Sequence, residues 1–179
     1  KKYKNIIGKL NLKLINSIDE LPFLSVNLFK ETNITSISEA ERFKTLNSSG
    51  TSGKKSQIFL DKITSHLQQE TLVKITKNFI GNKRYPMLII ENEKILKKNK
   101  AFSARTAAIL GFSIFGKEKC FALNDKLLID NKKINSFLQK YKDETILIFG
   151  FTFQIWKYLA LTKNNLYIKN NCIVLHGGG

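Results

Sequence analysis

Met87-Leu-Ile-Ile90, Thr145-Ile-Leu-Ile-Phe149 and Cys172-Ile-Val-Leu175 constrain this chain most, because each is apolar at consecutive positions. An alternating strand needs only one face covered, whereas an unbroken Ile/Leu/Val run must be covered on both. Between these runs the period changes to that of a helix. Ile63, Leu67, Leu72, Ile75, Phe79 and Ile80 fall near helical spacing with Gly81 as a stop, and Ser103 to Leu110 reads as a helix ended by Gly111. Lys119 to Ala122 reads as a weaker strand, and Lys132 to Tyr141 is amphipathic and helical. Thr152 is expected to cap a helix from Phe153 to Thr162. Strand and helix in alternation predict an α/β fold, a mostly parallel sheet with helices on both faces. In such sheets ligands bind beyond the carboxyl ends of the strands. Gly150-Phe-Thr-Phe153 and His176-Gly-Gly-Gly179 are therefore the places to look.

Residues 1–46 read as a lead-in segment, and 47–179 as the α/β portion. Pro22 makes Leu21–Leu24 extended or a turn, while Glu41–Leu46 and Ser56–Leu60 read as strands. Between those two strands lies Asn47-Ser-Ser-Gly-Thr-Ser-Gly-Lys-Lys-Ser56. Glycines let consecutive amides turn into one concavity that holds an anion, hydroxyls add donors and lysines add charge. By composition the stretch is equally a flexible Ser/Gly linker. A Walker A loop is excluded: it demands glycine at Ser48, Ser/Thr at Lys55, and a helix where a strand is expected.

The 179 residues carry a formal net charge of +16. Only Arg42, Arg84 and Arg105 are arginines, and the lysines that supply the rest are scattered among asparagines and isoleucines, as an AT-rich genome encodes. Nucleic acid is thus not the expected partner; Lys97-Lys-Asn-Lys100 lacks interleaved aromatics and reads as a solvated turn. No apolar run approaches the roughly 18 residues of a membrane span, and no signal peptide is visible, so a cytoplasmic location is expected. Cys120 and Cys172 have no histidines at ligand spacing and read as packing residues in strands; no metal ligands are assigned.

Ser48-Ser-Gly-Thr-Ser-Gly53 resembles the strand–loop–strand with which acyl-adenylate-forming enzymes hold the triphosphate of ATP. Leu21-Pro-Phe-Leu24 with Phe29-Lys30, Ser103-Ala-Arg-Thr-Ala-Ala-Ile-Leu-Gly-Phe112, Ile148-Phe-Gly-Phe-Thr-Phe153 with Trp156, and Leu175-His-Gly-Gly-Gly179 follow in the order found in the LuxE-type acyl-protein synthetases. The resemblance implies the N-terminal subdomain of an adenylate-forming fold. The implied reaction activates a fatty or other carboxylic acid with ATP and Mg2+, then passes the acyl group to a thiol of the same or a partner protein. It further implies that Ser48, Ser49, Gly50, Thr51, Ser52, Gly53 and Lys54 hold the ATP phosphates, and that His176, Gly177, Gly178 and Gly179 lie against the adenine. A strand-terminating turn is the alternative for the last four. Phe149, Gly150, Phe151, Thr152 and Trp156 are candidates for the acyl pocket, with ordinary core packing as the alternative for the aromatics. Arg105 reads first as a salt-bridge residue and second as a partner for phosphate or carboxylate. The Tyr-Gly-x-Thr/Ser-Glu segment, ribose-binding aspartate and C-terminal lysine of adenylate-forming enzymes are not in these residues. The expectation is therefore a partial subdomain that does not turn over alone. A nucleotide- or anion-binding module without ligase activity is the other reading, and a basic nucleic-acid binder the third.

Overall fold

The computed structural model describes residues 8, 11–48, 56–96, 103–160 and 168–178. The chain divides into two compact units, Lys1–Leu67 and Gln68–Gly179. This division lies C-terminal to the 46/47 boundary read from the sequence.

In the first unit, single 3-10 turns at Leu12–Leu14 and Ile18–Glu20 precede a short helix, α1 (Leu28–Glu31). Leu21–Leu24 is irregular, as Pro22 requires. β1 (Lys44–Asn47) and β2 (Gln57–Leu60) then pair antiparallel, from Lys44 opposite Leu60 to Asn47 opposite Gln57. The ladder continues one step past the strands: the Ser48 amide donates to the Ser56 carbonyl (3.0 Å), and the Ser56 amide to Ser48 Oγ (2.9 Å). The two expected strands are therefore present, and they pair with each other. Of the loop itself, Ser49, Gly50, Thr51, Ser52, Gly53 and Lys54 lie outside the described residues, as does Lys97–Lys100.

α2 (Lys62–Ile80) starts at Asp61, whose Oδ1 accepts the Thr64 amide at 2.6 Å, and stops at Gly81, which adopts φ +79°. The second unit then alternates strictly: β3 (Tyr85–Asn92), α3 (Ala104–Phe112), β4 (Gly116–Leu123), α4 (Asn131–Lys140), β5 (Ile146–Phe151), α5 (Thr152–Ile155) and β6 (Cys172–Gly177). Ser103 and Asp130 cap α3 and α4 through the amides of Thr106 and Lys133. The four strands form one sheet in the order β4-β3-β5-β6, every neighbouring pair parallel.

The apolar runs divide by parity, as a period of two demands. Leu88, Ile90, Cys120, Ala122, Ile146 and Ile148 pack on one face against Ile134, Phe137 and Leu138 of α4, joined by Ile155 and Leu159. Met87, Ile89, Phe121, Leu147 and Phe149 pack on the other against Ile80, Ile109 and Phe115. Burying each Leu or Ile side chain stabilises the fold by about 1.5–3 kcal/mol, so the central strand β3 anchors both layers.

Three expectations are corrected. Gly111 does not stop α3, which continues to Phe112; a Cβ there would stand 3.1 Å from Leu72 Cδ2, so the glycine lets two helices approach. Thr152 does not cap a helix from Phe153 to Thr162. Phe151 occupies the cap position without a side-chain bond, Thr152 is the first helical residue, and a π turn over Trp156–Ala160 follows Ile155. Cys172 is exposed rather than packed, because β6 is an outer strand of the sheet. Cys120 is buried as expected, and burial pushes its thiol up to about 11.

Candidate functional site at the carboxyl edge of the sheet

The winding of the sheet selects one place for a ligand. From β3 the chain steps outward through α3 to β4, then crosses back past β3 to β5 and onward to β6. Right-handed crossovers put helices on opposite faces when the direction of winding reverses. Accordingly α3 packs with the Met87 face and α4 with the Leu88 face. The carboxyl ends of β3 and β5 lie at that reversal, the position at which doubly wound sheets generally bind ligands.

The two sequence segments expected there meet residue by residue. In the β5–β6 register Phe149 faces Leu175, Gly150 faces His176 and Phe151 faces Gly177. Just beyond, Thr152 Oγ1 lies 3.1 Å from His176 Nδ1, so the hydroxyl that does not cap its helix ties the two strand ends together. Gly178 turns with φ +76°, and a Cβ there would lie 3.1 Å from the Phe151 ring. A Cβ on Gly177 would meet nothing within 4 Å, so the backbone is open on that side. Gly179 lies outside the described residues.

The acyl-pocket candidates separate. Phe149 is a core residue, 2% exposed, with its ring 5.0 Å from that of Phe112. Gly150 leaves no open space: a Cβ would sit 3.0 Å from both Ile90 Cβ and Ile155 Cγ1. Thr152 and Trp156, by contrast, line a cavity of about 320 Å³ together with Ile155, Leu159 and His176. Its walls are apolar except for the Thr152–His176 pair, which suits a hydrocarbon chain with a polar end.

Glu91 and Gln154 were not singled out in the sequence. Glu91, near the end of β3, is 5% exposed. Its Oε1 accepts the Asn92 amide (2.9 Å), and its Oε2 accepts Gln154 Nε2 (2.8 Å) and Arg105 NH1 (3.3 Å). Arg105 also lies beside the Phe153 and Phe151 rings, at 5.1 and 5.8 Å from their centroids. The available signal for Glu91 was a charged residue directly behind a fully buried run; Gln154, a lone amide among aromatics, offered none. Across β3, a second cleft of about 740 Å³ is lined by Asn92, Lys94, Asp125, Asp130 and Lys133 among others. It is crossed by a Lys94–Asp125 ion pair at 2.9 Å.

A four-stranded parallel sheet with an open glycine segment and an apolar cavity at its carboxyl edge defines a doubly wound α/β protein. The sequence matches the family described as Acyl-protein synthetase, LuxE, over residues 2–179, and the chain belongs to that family. Neither a curated protein nor a solved structure matches the chain. Membership carries the general activity, synthesis of an acyl-protein. No helix among the described residues is long and apolar enough to cross a membrane.

Proposed function

We propose that the protein joins a fatty or other carboxylic acid to ATP and hands the acyl group to a protein thiol. In the first half-reaction a carboxylate oxygen bonds to the α-phosphorus while the bond to pyrophosphate breaks. In the second, a thiolate attacks the acyl carbon, a thioester forms and AMP leaves with the electron pair. The acceptor is a thiol of the same or a partner protein. Of the cysteines here, Cys120 is unsuited, buried and held protonated by desolvation.

The observation that carries this reading is the register of Phe149–Phe151 with Leu175–Gly177, beside an apolar cavity, in a chain of the acyl-protein synthetase family. On this reading the hydrocarbon runs along Trp156, Ile155 and Leu159, and its carboxylate faces the Thr152–His176 end. The open backbone at Gly177, with His176 and Gly178, takes the flat face of a purine. Within the first unit, the loop that begins at Ser48 is assigned the phosphates, where amides and hydroxyls stabilise charge that develops on leaving pyrophosphate. Mg2+, when bound with the nucleotide, would supply positive charge to the phosphates. Among the described residues no three carboxylate, imidazole or thiol groups cluster to hold a metal, and no step is assigned to it.

The test is exchange of labelled pyrophosphate into ATP, dependent on added fatty acid. Exchange is expected with dodecanoate and is expected to fall with Gly50→Ala and Thr51→Ala. ATP binding by calorimetry without acid-dependent exchange would leave a nucleotide-binding module and exclude the ligase.

A further inference from the structure

We propose that Arg105 is an anion receptor at the carboxyl edge, held in place by Glu91 and Gln154, and that its ligand is an oxyanion of the substrates. This rests on the reading just given. The argument starts from Glu91. A carboxylate at 5% exposure must be compensated, and the Asn92 amide and Gln154 Nε2 already supply two short hydrogen bonds. Arg105 adds a third contact that is long, 3.3 Å, and made through one nitrogen. An arginine used only to neutralise a buried carboxylate takes the bidentate fork, the stronger geometry. This one does not, and its side chain remains 39% exposed.

Among the described residues no other hydrogen bond engages the guanidinium, so most of its donors stay available at the rim. The aromatic rings of Phe151 and Phe153 flank it and limit where it can swing. Gln154 shows how firmly the carboxylate is fixed. Its Nε2 is committed to Glu91 while its Oε1, buried, finds no partner among the described residues. An amide left half-satisfied beside a loosely paired arginine is a poor arrangement for stability alone. The unused guanidinium donors of Arg105, rather than the Gln154 carbonyl oxygen, which only accepts, suit a receptor whose remaining partner arrives with an anionic ligand. The position agrees: Glu91, Phe151 and the first turn after β5 lie at the reversal point of the sheet, and Phe151 touches Gly178.

The ligand chemistry is a pair of anionic oxygens, either the carboxylate of the acid or a phosphate of the nucleotide. Steady-state exchange kinetics with dodecanoate and ATP separate the two. Arg105→Gln is expected to raise one KM about 10- to 100-fold, the range for a lost charge-assisted hydrogen bond. Arg105→Lys, which keeps the charge but not the fork, is expected to recover only part of that loss. A raised KM for dodecanoate alone identifies the carboxylate; a raised KM for ATP alone identifies the phosphate. Glu91→Gln, which acts through Arg105, should raise the same KM by less, whereas the surface variant Glu118→Gln should change neither. Unchanged KM values in both arginine variants would overturn the proposal; should Arg105→Gln fail to fold, Arg105→Lys alone decides. Should the wild type exchange nothing, the ligase reading falls by itself. Calorimetry with dodecanoate and with ATP then decides Arg105, whose replacement must abolish binding of one of them.

Discussion

Two acid–base clusters stand on the same parallel sheet and are built to different standards. At the surface, Glu118 Oε2 accepts Lys140 Nζ at 2.6 Å and the Tyr141 hydroxyl at 2.7 Å, while Lys117 reaches both oxygens of Glu144 at 2.8 and 2.7 Å. Lys117 and Lys140 also lie about 5 Å from the Tyr141 ring. Every group has a close partner, yet all of it is in water, where such pairs contribute little. At the carboxyl edge the geometry is looser, with a 3.3 Å arginine contact and an amide oxygen that has no partner among the described residues, but the central carboxylate is buried. Short distances therefore do not mark the cluster that matters to the fold. Burial does, because a buried charge that loses a partner has no water to replace it.

Substitutions sharpen that contrast in order of size. Glu91→Ala strands Gln154 and Arg105 together and should cost about 3 kcal/mol, read from the urea midpoint; a change within error would show that the crevice is more hydrated than its exposure indicates. Gly150→Ala, at the same edge but without charge, drives a methyl to 3.0 Å from Ile90 and Ile155 and should cost about 1–3 kcal/mol through overpacking. Thr152→Val removes the contact to His176 while keeping the shape, and about 1 kcal/mol or less is expected from an exposed pair. Its clearer signature is a weaker response to dodecanoate in the exchange assay.

The surface cluster should give the smallest effect, and one that fades at either extreme of pH. The hydrogen bonds from Lys140 and then Tyr141 lower the Glu118 pKa below its ordinary 4.5. Its stabilisation is thus fully present above that value and is lost as pH falls through the lower, folded one. The Glu118 bond likewise raises the Lys140 and Tyr141 pKa values, so their contribution disappears only as pH climbs beyond about 10. Glu118→Gln should lower the neutral-pH melting temperature only slightly and converge with the wild type in acid, so that its decline on acidification is flatter. A large loss at neutral pH would reverse the comparison between the two clusters.

Much of the second unit was legible in sequence because its signals are local. Met87–Ile90 and Ile146–Phe149 are apolar on both parities, which no solvent-facing strand tolerates, and Gly81 and Ser103 mark helix ends through their own backbone or hydroxyl chemistry. Where a signal had two uses, sequence could not choose. Gly111 reads as a stop until Leu72 is seen against it, and Thr152 reads as a cap until His176 is found 3.1 Å away. Cys172 looks like a packing residue until its strand proves to be the outer one. Phe149 and Trp156 share an aromatic segment, yet Phe149 on β5 is core while Trp156, at the start of the π turn after α5, lines the cavity.

What the sequence determined by itself was the class of fold, the two strands that flank Ser48–Ser56, and the family resemblance carried by its motifs. All of these rest on residues close together in the chain. The strand order, and with it the reversal point that brings Glu91, Arg105 and Gln154 together across 63 residues, was decided only by tertiary structure. The reason is physical: periodicity states which faces must be buried, but the handedness of crossovers and the volumes of the packed helices choose which strands become neighbours. Until those neighbours are set, a glutamate behind an apolar run has no partner to reveal its purpose.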